Sequence, residues 1–187
     1  MASVASADAQ ALVEDLRRVV TGEVRFDEMT RALYSTDASI YQIEPIGVVI
    51  PRTEEDVIAV VETAYRHGVP VLPRGAGTSL AGQAVGHAII IDFSKYMRRV
   101  LEVSPEEGWV RVQPGIILDE LNHHLSPSGL HFAPDPSTSN RGNVGGALGN
   151  NSCGAHSLVW GKTVDNVVEL RVVLSNGDMA TLGPANG

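Results

Sequence analysis

The chain holds a single cysteine, Cys153, so it can form no internal disulfide and cannot by itself assemble a zinc or iron–sulfur site. Long hydrophobic runs are missing as well. The longest apolar stretches, such as Ala88–Ile91 and Val167–Leu174, are strand-sized and interrupted, far below the ~20 residues that a membrane-spanning helix requires. Basic residues are outnumbered 14 to 22, for a formal net charge of -8. A nucleic-acid partner is therefore not expected, because backbone binding needs a concentrated basic face. The opening residues have neither the basic start nor the apolar core of a secretion signal, and Asp8 and Glu14 are out of place in a transit peptide. A cytoplasmic location is the expectation.

What is present suits a folded domain. Of 187 residues, 43% are hydrophobic and 19% charged, enough to bury the core of one to two domains. Leu12, Val13, Leu16, Val19 and Val20 recur at helical spacing, with Gly22 placed to stop the helix. A polar stretch follows, then a short apolar strand at Gly47–Ile50. Thr53 and Asp56 have the spacing of a capping box and open a helix through Val57, Val60, Val61, Ala64 and Tyr65, ended by Gly68. Val69–Leu72, Ala88–Ile91, Val100–Val103 and Trp109–Val112 have the composition of strands, and Ile116–Leu125 the spacing of a helix. Ser175-Asn176-Gly177-Asp178 is a hairpin turn before a last strand at Met179–Leu182. The fold class is therefore α+β, with a βαβ-like unit up to about Asp92 and a strand-rich part after it. The ending at Gly183–Gly187, soon after a hairpin begins, reads as a fragment of a longer protein.

Two constellations carry the chemistry. Arg74, Gly75, Ala76, Gly77, Thr78 and Ser79, with Gln83 closing the run, emerge from a strand. Small residues let the main chain approach an anion, successive N–H groups can point into one hollow, and the hydroxyls add donors. Arg74 is the one nearby cation, so the amides would carry most of the compensation of a diphosphate. The second constellation runs through Pro134, Asp135, Pro136, Ser137, Thr138, Gly142, Asn143, Gly145, Gly146, Asn150, Asn151 and Gly154. Prolines stiffen its start, and glycines make room for a flat or phosphorylated ligand; a loop of this length is usually functional. Asp135, between two prolines, suits a turn. Neither nucleotide motif that nearly fits survives. After Gly75 and Gly77 the third position of a dinucleotide fingerprint holds Leu80, and Gly161-Lys162-Thr163 lacks the leading glycine of a P-loop, where His156 stands. His123, His124 and His131 cluster without a carboxylate partner, so no metal site is expected there.

Taken in order, Val69 to Leu80, the Ile91-Asp92-Phe93-Ser94 strand end, Val112-Gln113-Pro114-Gly115, Leu118-Asp119-Glu120-Leu121, Gly145 to Gly154 and Trp160 to Val167 resemble the FAD-binding domain of the vanillyl-alcohol oxidase and p-cresol methylhydroxylase family. Within it the chain is most similar to the glycolate-oxidase-like, FAD-linked dehydrogenases of D-2-hydroxy acids such as lactate, glycolate or 2-hydroxyglutarate. The resemblance implies a lead-in over 1–45, a first FAD-binding subdomain over 46–92, and an incomplete second one over 93–187. It implies that Arg74–Ser79, with Gln83, wraps the pyrophosphate. Pro134, Asp135, Pro136, Ser137 and Thr138, with Asn143, Gly145 and Gly146, would line the ribityl and flavin side, Asn150, Asn151 and Gly154 would close the pocket near the ring, and Val167 would lie towards the adenine, with Gly142 and Gly161 also among the cofactor-binding residues. Members that attach FAD covalently from the first loop use a histidine where this chain has Thr78, so noncovalent FAD is implied, and Cys153 is expected to be a small buried thiol. Some members carry an iron–sulfur part C-terminal to the flavin domain. The base and the substrate-carboxylate ligands come mostly from a second domain, so no catalytic residue is named and the fragment alone is expected to be inactive. A hydroxy acid is the implied substrate, with no electron acceptor indicated. A nucleotide-binding module without catalysis, and a sugar-nucleotide reductase of the same fold, remain as alternatives.

Overall fold

A strand with apolar side chains on both faces has neither to give to water, so it must be covered on both sides. In the computed structural model, which describes residues 6–183, two such strands, β2 (Gly47–Ile50) and β4 (Ile89–Asp92), are buried throughout and lie side by side. Residues 1–5 and 184–187, on which the expectations of no leader and of an interrupted ending fall, lie outside the described residues. The sheet order is β1-β2-β4-β3, with β1 at Glu23–Arg25 and β3 at Val71–Arg74. β2 and β3 both run parallel to β4, pairing Gly47 and Val71 with Ile89, while β1 runs antiparallel to β2. The βαβ-like unit expected from sequence thus has a third strand between its two. Pro73 explains the arrangement: it lacks an N–H for the ladder and stands on an edge strand, leaving the centre to Ile89–Ile91.

Helix α3 (Glu54–Arg66) buries Val57, Val60, Val61 and Ala64 of the stripe read from the sequence, leaves its fifth member Tyr65 exposed, and packs against α1 (Ser6–Val19). Leu12 and Leu16 of α1 are fully buried, a burial that stabilises by roughly 1.5–3 kcal/mol per side chain. Thr53 caps α3 through its hydroxyl, which accepts from the Asp56 N–H. The Asp56 carboxylate accepts from the N–H of Arg52 and from the N–H and hydroxyl of Thr21, tying the end of α1 to the start of α3. Strand β3 starts two residues later than expected. The N–H groups of Gly68 and Val69 still bond to Tyr65 and Ala64 of the helix, and Pro70 has none to offer.

The polar stretch holds an unexpected helix, α2 (Glu28–Tyr34), capped by Asp27, whose carboxylate accepts from the Thr30 N–H at 2.9 Å. It buries no residue: Met29, Ala32 and Leu33 have helical spacing, but all three stay exposed, and the Asp27-Glu28 start marks the helix in the sequence. In the rest of the chain β5 (Val100–Ser104) and β6 (Trp109–Val112) pair antiparallel, and α4 (Leu118–Leu125) covers them with Leu121 and Leu125. The glycine-rich stretch contains α5 (Val144–Gly149), followed by α6 (Ser157–Trp160), a 3-10 turn at Thr163–Asn166, and the hairpin strands β7 (Leu170–Val173) and β8 (Met179–Leu182). Of the Val167–Leu174 apolar run, strand β7 takes up only Leu170–Val173; Val167–Glu169 lie between the 3-10 turn and that strand.

The chain divides into two compact units. The first comprises the described residues up to Arg74, Ser79–Asp92 and Arg171–Ala180; the second comprises Gly75–Thr78, Phe93–Leu170 and the described residues from Thr181 onward.

Candidate cofactor site

In the second unit the Pro114–Gly115 turn organises what surrounds it. Residues 142–145 run along it: Leu118 N–H donates to the Gly142 carbonyl, Val144 N–H to Ile116, and Gly145 N–H to Pro114 at 2.9 Å. Asn143, 4% exposed, fastens a third segment. Its Nδ2 donates to the Gly115 carbonyl at 2.6 Å, and its Oδ1 accepts from the Ala76 N–H at 2.7 Å. Gly75 lies so close that a Cβ there would stand 2.4 Å from that oxygen. The two constellations separated in sequence are therefore joined at Gly75–Ala76 and Asn143.

Beside this anchor the main chain keeps donors to spare. Among the described residues, no backbone–backbone bond outside the regular elements uses the amides of Gly77 or Thr78. Gly77 has φ 68, a conformation that glycine adopts without cost and that turns successive amides towards one side. A Cβ built on Gly146 meets nothing within 4 Å, whereas one on Gly145 would strike Pro114. Of the adjacent glycines one serves packing and the other faces open space.

A second cluster gathers Pro134, Asp135 and Gly154. Pro134 and Pro136 are buried, and Asp135 between them adopts φ 50. Gly154 abuts the Asp135 carbonyl, and the Ser157 hydroxyl accepts from the Gly154 N–H and donates to the Pro134 carbonyl. The Asp135 carboxylate lies 3.4 Å from His156. Thr138 closes a turn, its carbonyl accepting from Gly142, while Ser137 is exposed. Asn151, at φ 46, accepts on its side chain from the Val164 N–H, and Asn150 follows the end of α5. Gly161 ends α6 at φ 77, close to the Asp165 side chain, and half-buried Val167 follows the 3-10 turn.

Arg74, Ser79 and Gln83 belong to the first unit. Gln83 is exposed and accepts from the Ala81 N–H. The Arg74 guanidinium donates to the carbonyls of Tyr34, Thr36 and Ala84, and its carbon lies 5.2 Å from the centre of the Tyr34 ring. Burial pulls its pKa down against the charges of Asp92 and Asp37. The Tyr34 hydroxyl donates to Asp92 at 2.5 Å. Burial first, and that bond second, hold its pKa well above the ordinary phenol value.

The sign of this last shift gives a testable consequence. The folded state keeps Tyr34 protonated while the unfolded chain ionises near pH 10, so its stabilisation is complete below that pH and is lost as pH rises towards the folded value. Thermal unfolding between pH 8 and 11 is expected to show a smaller alkaline loss in Tyr34→Phe than in the wild type. Equal alkaline slopes would remove the assignment.

The histidines lie elsewhere. His123 and His124 line a shallow hollow of about 480 Å³ with Arg98, Asp119 and Glu120, and no residue of the glycine-rich stretches lines it. His131 packs edge-on against Trp160. Among the described residues no group of three potential ligands is placed to hold a metal. Cys153 is exposed, not buried as expected, because it falls in the loop after α5. The sequence had singled out the glycines and Asn143 but not Tyr34 or Asp37, which carry no motif; Asp92 entered only as part of the Ile91-Asp92-Phe93-Ser94 strand end.

Solved structures share this architecture. The chain superposes on an alkyldihydroxyacetonephosphate synthase with a TM-score of 0.85 at 24% identity, covering 95% of this chain and 36% of that one. It superposes on p-cresol methylhydroxylase with a TM-score of 0.83 at 19% identity, covering 98% and 38%. The fold is thus an α+β flavoprotein fold of the p-cresol methylhydroxylase type. The sequence profile of the FAD binding domain matches residues 45–183, and the chain belongs to that family. Among curated relatives, D-2-hydroxyglutarate dehydrogenase of Escherichia coli (strain K12) is 45% identical over 88% of this chain and 16% of its own length. The glycolate oxidase subunit GlcD of Bacillus subtilis (strain 168) is 36% identical over 88% of this chain and 36% of its own. The chain therefore spans about a sixth to a third of these relatives. No helix among the described residues is long and apolar enough to cross a membrane.

Proposed function

We propose that this chain holds noncovalent FAD for a larger cytoplasmic oxidoreductase that oxidises a D-2-hydroxy acid. The observation that carries the proposal is the pair of unspent amides at Gly77 and Thr78 on a segment fastened by Asn143, with open space at Gly146. Neutral main-chain donors suit a diphosphate in a chain of net charge -8. The Arg74–Ser79 stretch and Gln83 would hold the pyrophosphate. Pro134–Thr138, Gly142, Asn143, Gly145 and Gly146 would border the ribityl chain and ring, with Asn150, Asn151, Gly154, Gly161 and Val167 around them. FAD would supply the two-electron acceptor for the substrate C–H bond; the protein's share here is binding, orientation and exclusion of water. The relatives named for D-2-hydroxyglutarate and glycolate, and a mitochondrial D-lactate dehydrogenase [cytochrome] of Kluyveromyces lactis 31% identical over 71% of this chain and 23% of its own length, support a hydroxy-acid substrate.

Titration with FAD, read by flavin absorbance and fluorescence, tests this, with ADP alone as the comparison. FAD is expected to bind more tightly than ADP; failure of the wild-type chain to bind FAD would end the proposal. Gly146→Ala refines the test. In the free chain the new methyl meets nothing and improves a helical position by roughly 0.5–1 kcal/mol. The variant is expected to melt slightly higher yet bind FAD about tenfold more weakly, a loss near 1.4 kcal/mol. Unchanged FAD affinity would remove Gly146 from the site.

A further inference from the structure

The matched family region begins at residue 45, yet the descending limb of the glycine-rich loop is gripped by residues that precede it. Asp37 accepts from the Ala84 N–H through Oδ2 and from the Ser39 N–H through Oδ1. Arg74, at the other foot of the same loop, donates 2.8 Å bonds to the Ala84 carbonyl and the Thr36 carbonyl, and a 3.1 Å bond to the Tyr34 carbonyl. Ala84 is thus held on both sides, by a carboxylate at its N–H and a guanidinium at its carbonyl. Two residues earlier Gly82, at φ 78, lies against Tyr41, where a Cβ would come within 2.7 Å of the ring.

The gripping segment is itself stiff. Thr36 bridges to Gln42, the Ile43 N–H donates to the Ser35 carbonyl, and the buried Ser35 hydroxyl accepts from the Gln42 side chain. Tyr34 is pinned by its bond to Asp92 at the end of β4. Every one of these groups lies in the first unit.

We propose that Tyr34–Tyr41, outside the matched family region, is a positioning brace that ties the two feet of the Arg74–Ala84 loop and so sets the affinity of that loop for its diphosphate ligand. Arg74 acts within it as a clasp. Fixing the feet of a loop shrinks the set of shapes it must abandon on binding, which strengthens association without adding a contact to the ligand. The inference rests on the FAD reading for its ligand, but not for the brace itself.

The full chain carrying Asp37→Ala is the test, read by amide hydrogen exchange and by FAD titration. Exchange over Ser79–Ala84 is expected to quicken by about tenfold and FAD affinity to fall by a similar factor, the scale of one lost hydrogen bond. Asp37→Asn keeps an acceptor for the Ala84 N–H and is expected to restore affinity to within about threefold of wild type, a rescue that a general loss of folding would not show. Arg74→Lys, which cannot span three carbonyls with a planar fork, serves if Asp37→Ala does not fold, with faster exchange over Ser79–Ala84 as its readout, since Arg74 also belongs to the stretch that would hold the pyrophosphate. Wild-type exchange over Ser79–Ala84 in the variant, or faster exchange with unchanged FAD affinity, overturns the brace. Should the wild-type chain not bind FAD, the functional reading fails separately, and the exchange rates alone then decide: faster supports the brace, unchanged overturns it.

Discussion

Gly154→Ala is expected to lower the stability of the chain by about 3 kcal/mol or more, the upper range for overpacking, because main chain must move to admit one methyl group. The added Cβ would stand 1.7 Å from the Asp135 carbonyl oxygen, 2.2 Å from its carbon and 2.5 Å from the Pro134 carbonyl oxygen. None of these can swing aside as the end of a side chain would. Both flanking prolines limit relief, since each fixes its own φ and restricts the residue before it, and Asp135 already adopts φ 50. Gly149→Ala is the control: its Cβ meets nothing within 4 Å. Urea unfolding of both variants measures the difference, and a Gly154→Ala midpoint equal to that of Gly149→Ala would show that this approach is looser than described.

The second large effect centres on Asn143. Asn143→Leu keeps the volume but leaves the Ala76 N–H and the Gly115 carbonyl without their partner. At about 1–3 kcal/mol for each buried group left unpaired, the expected loss is roughly 2–4 kcal/mol after some relaxation. FAD binding is expected to fall more than tenfold, because Gly75 and Ala76 lose their anchor. Asn143→Asp separates the two bonds. An ionised carboxylate can accept from Ala76 but cannot donate to Gly115, and its burial raises the folded pKa above the unfolded value near 3.9. Stabilisation by the protonated form is then fullest below the unfolded pKa and disappears as pH rises through the folded one. Asn143→Asp is therefore expected to lose less relative to wild type at pH 4 than at pH 7. Denaturant midpoints at the two pH values check it; a deficit that does not depend on pH would mean that the carboxylate is solvated.

Local signals explain why some elements were legible from sequence and others not. Strands β2, β6 and β8 begin and end as their apolar runs predict, and α3 follows from Thr53, an apolar stripe and Gly68. Each is set by neighbours in sequence. Helix α5 was not legible, because Val144-Gly145-Gly146-Ala147-Leu148-Gly149 is among the poorer helix-forming strings. It forms with Ala147 buried and its first residues bonded to Ile116 and Pro114. Helix α2 escaped for the opposite reason, having a capped start but no buried face.

The sequence by itself determined which stretches are small, stiff or apolar. It marked the loop after Pro73, the stretch from Ala133 to Gly154, and the resemblance to a flavin domain, because chain stiffness, side-chain bulk and hydropathy belong to single residues and their near neighbours. Tertiary structure alone decided that β4 would enter between β2 and β3, that Asn143 would bond to Ala76 and Gly115, and that Arg74 would spend its guanidinium on the carbonyls of Tyr34, Thr36 and Ala84. Those outcomes follow from pairing buried donors and acceptors across the folded chain, a condition that can be met only once distant residues have become neighbours.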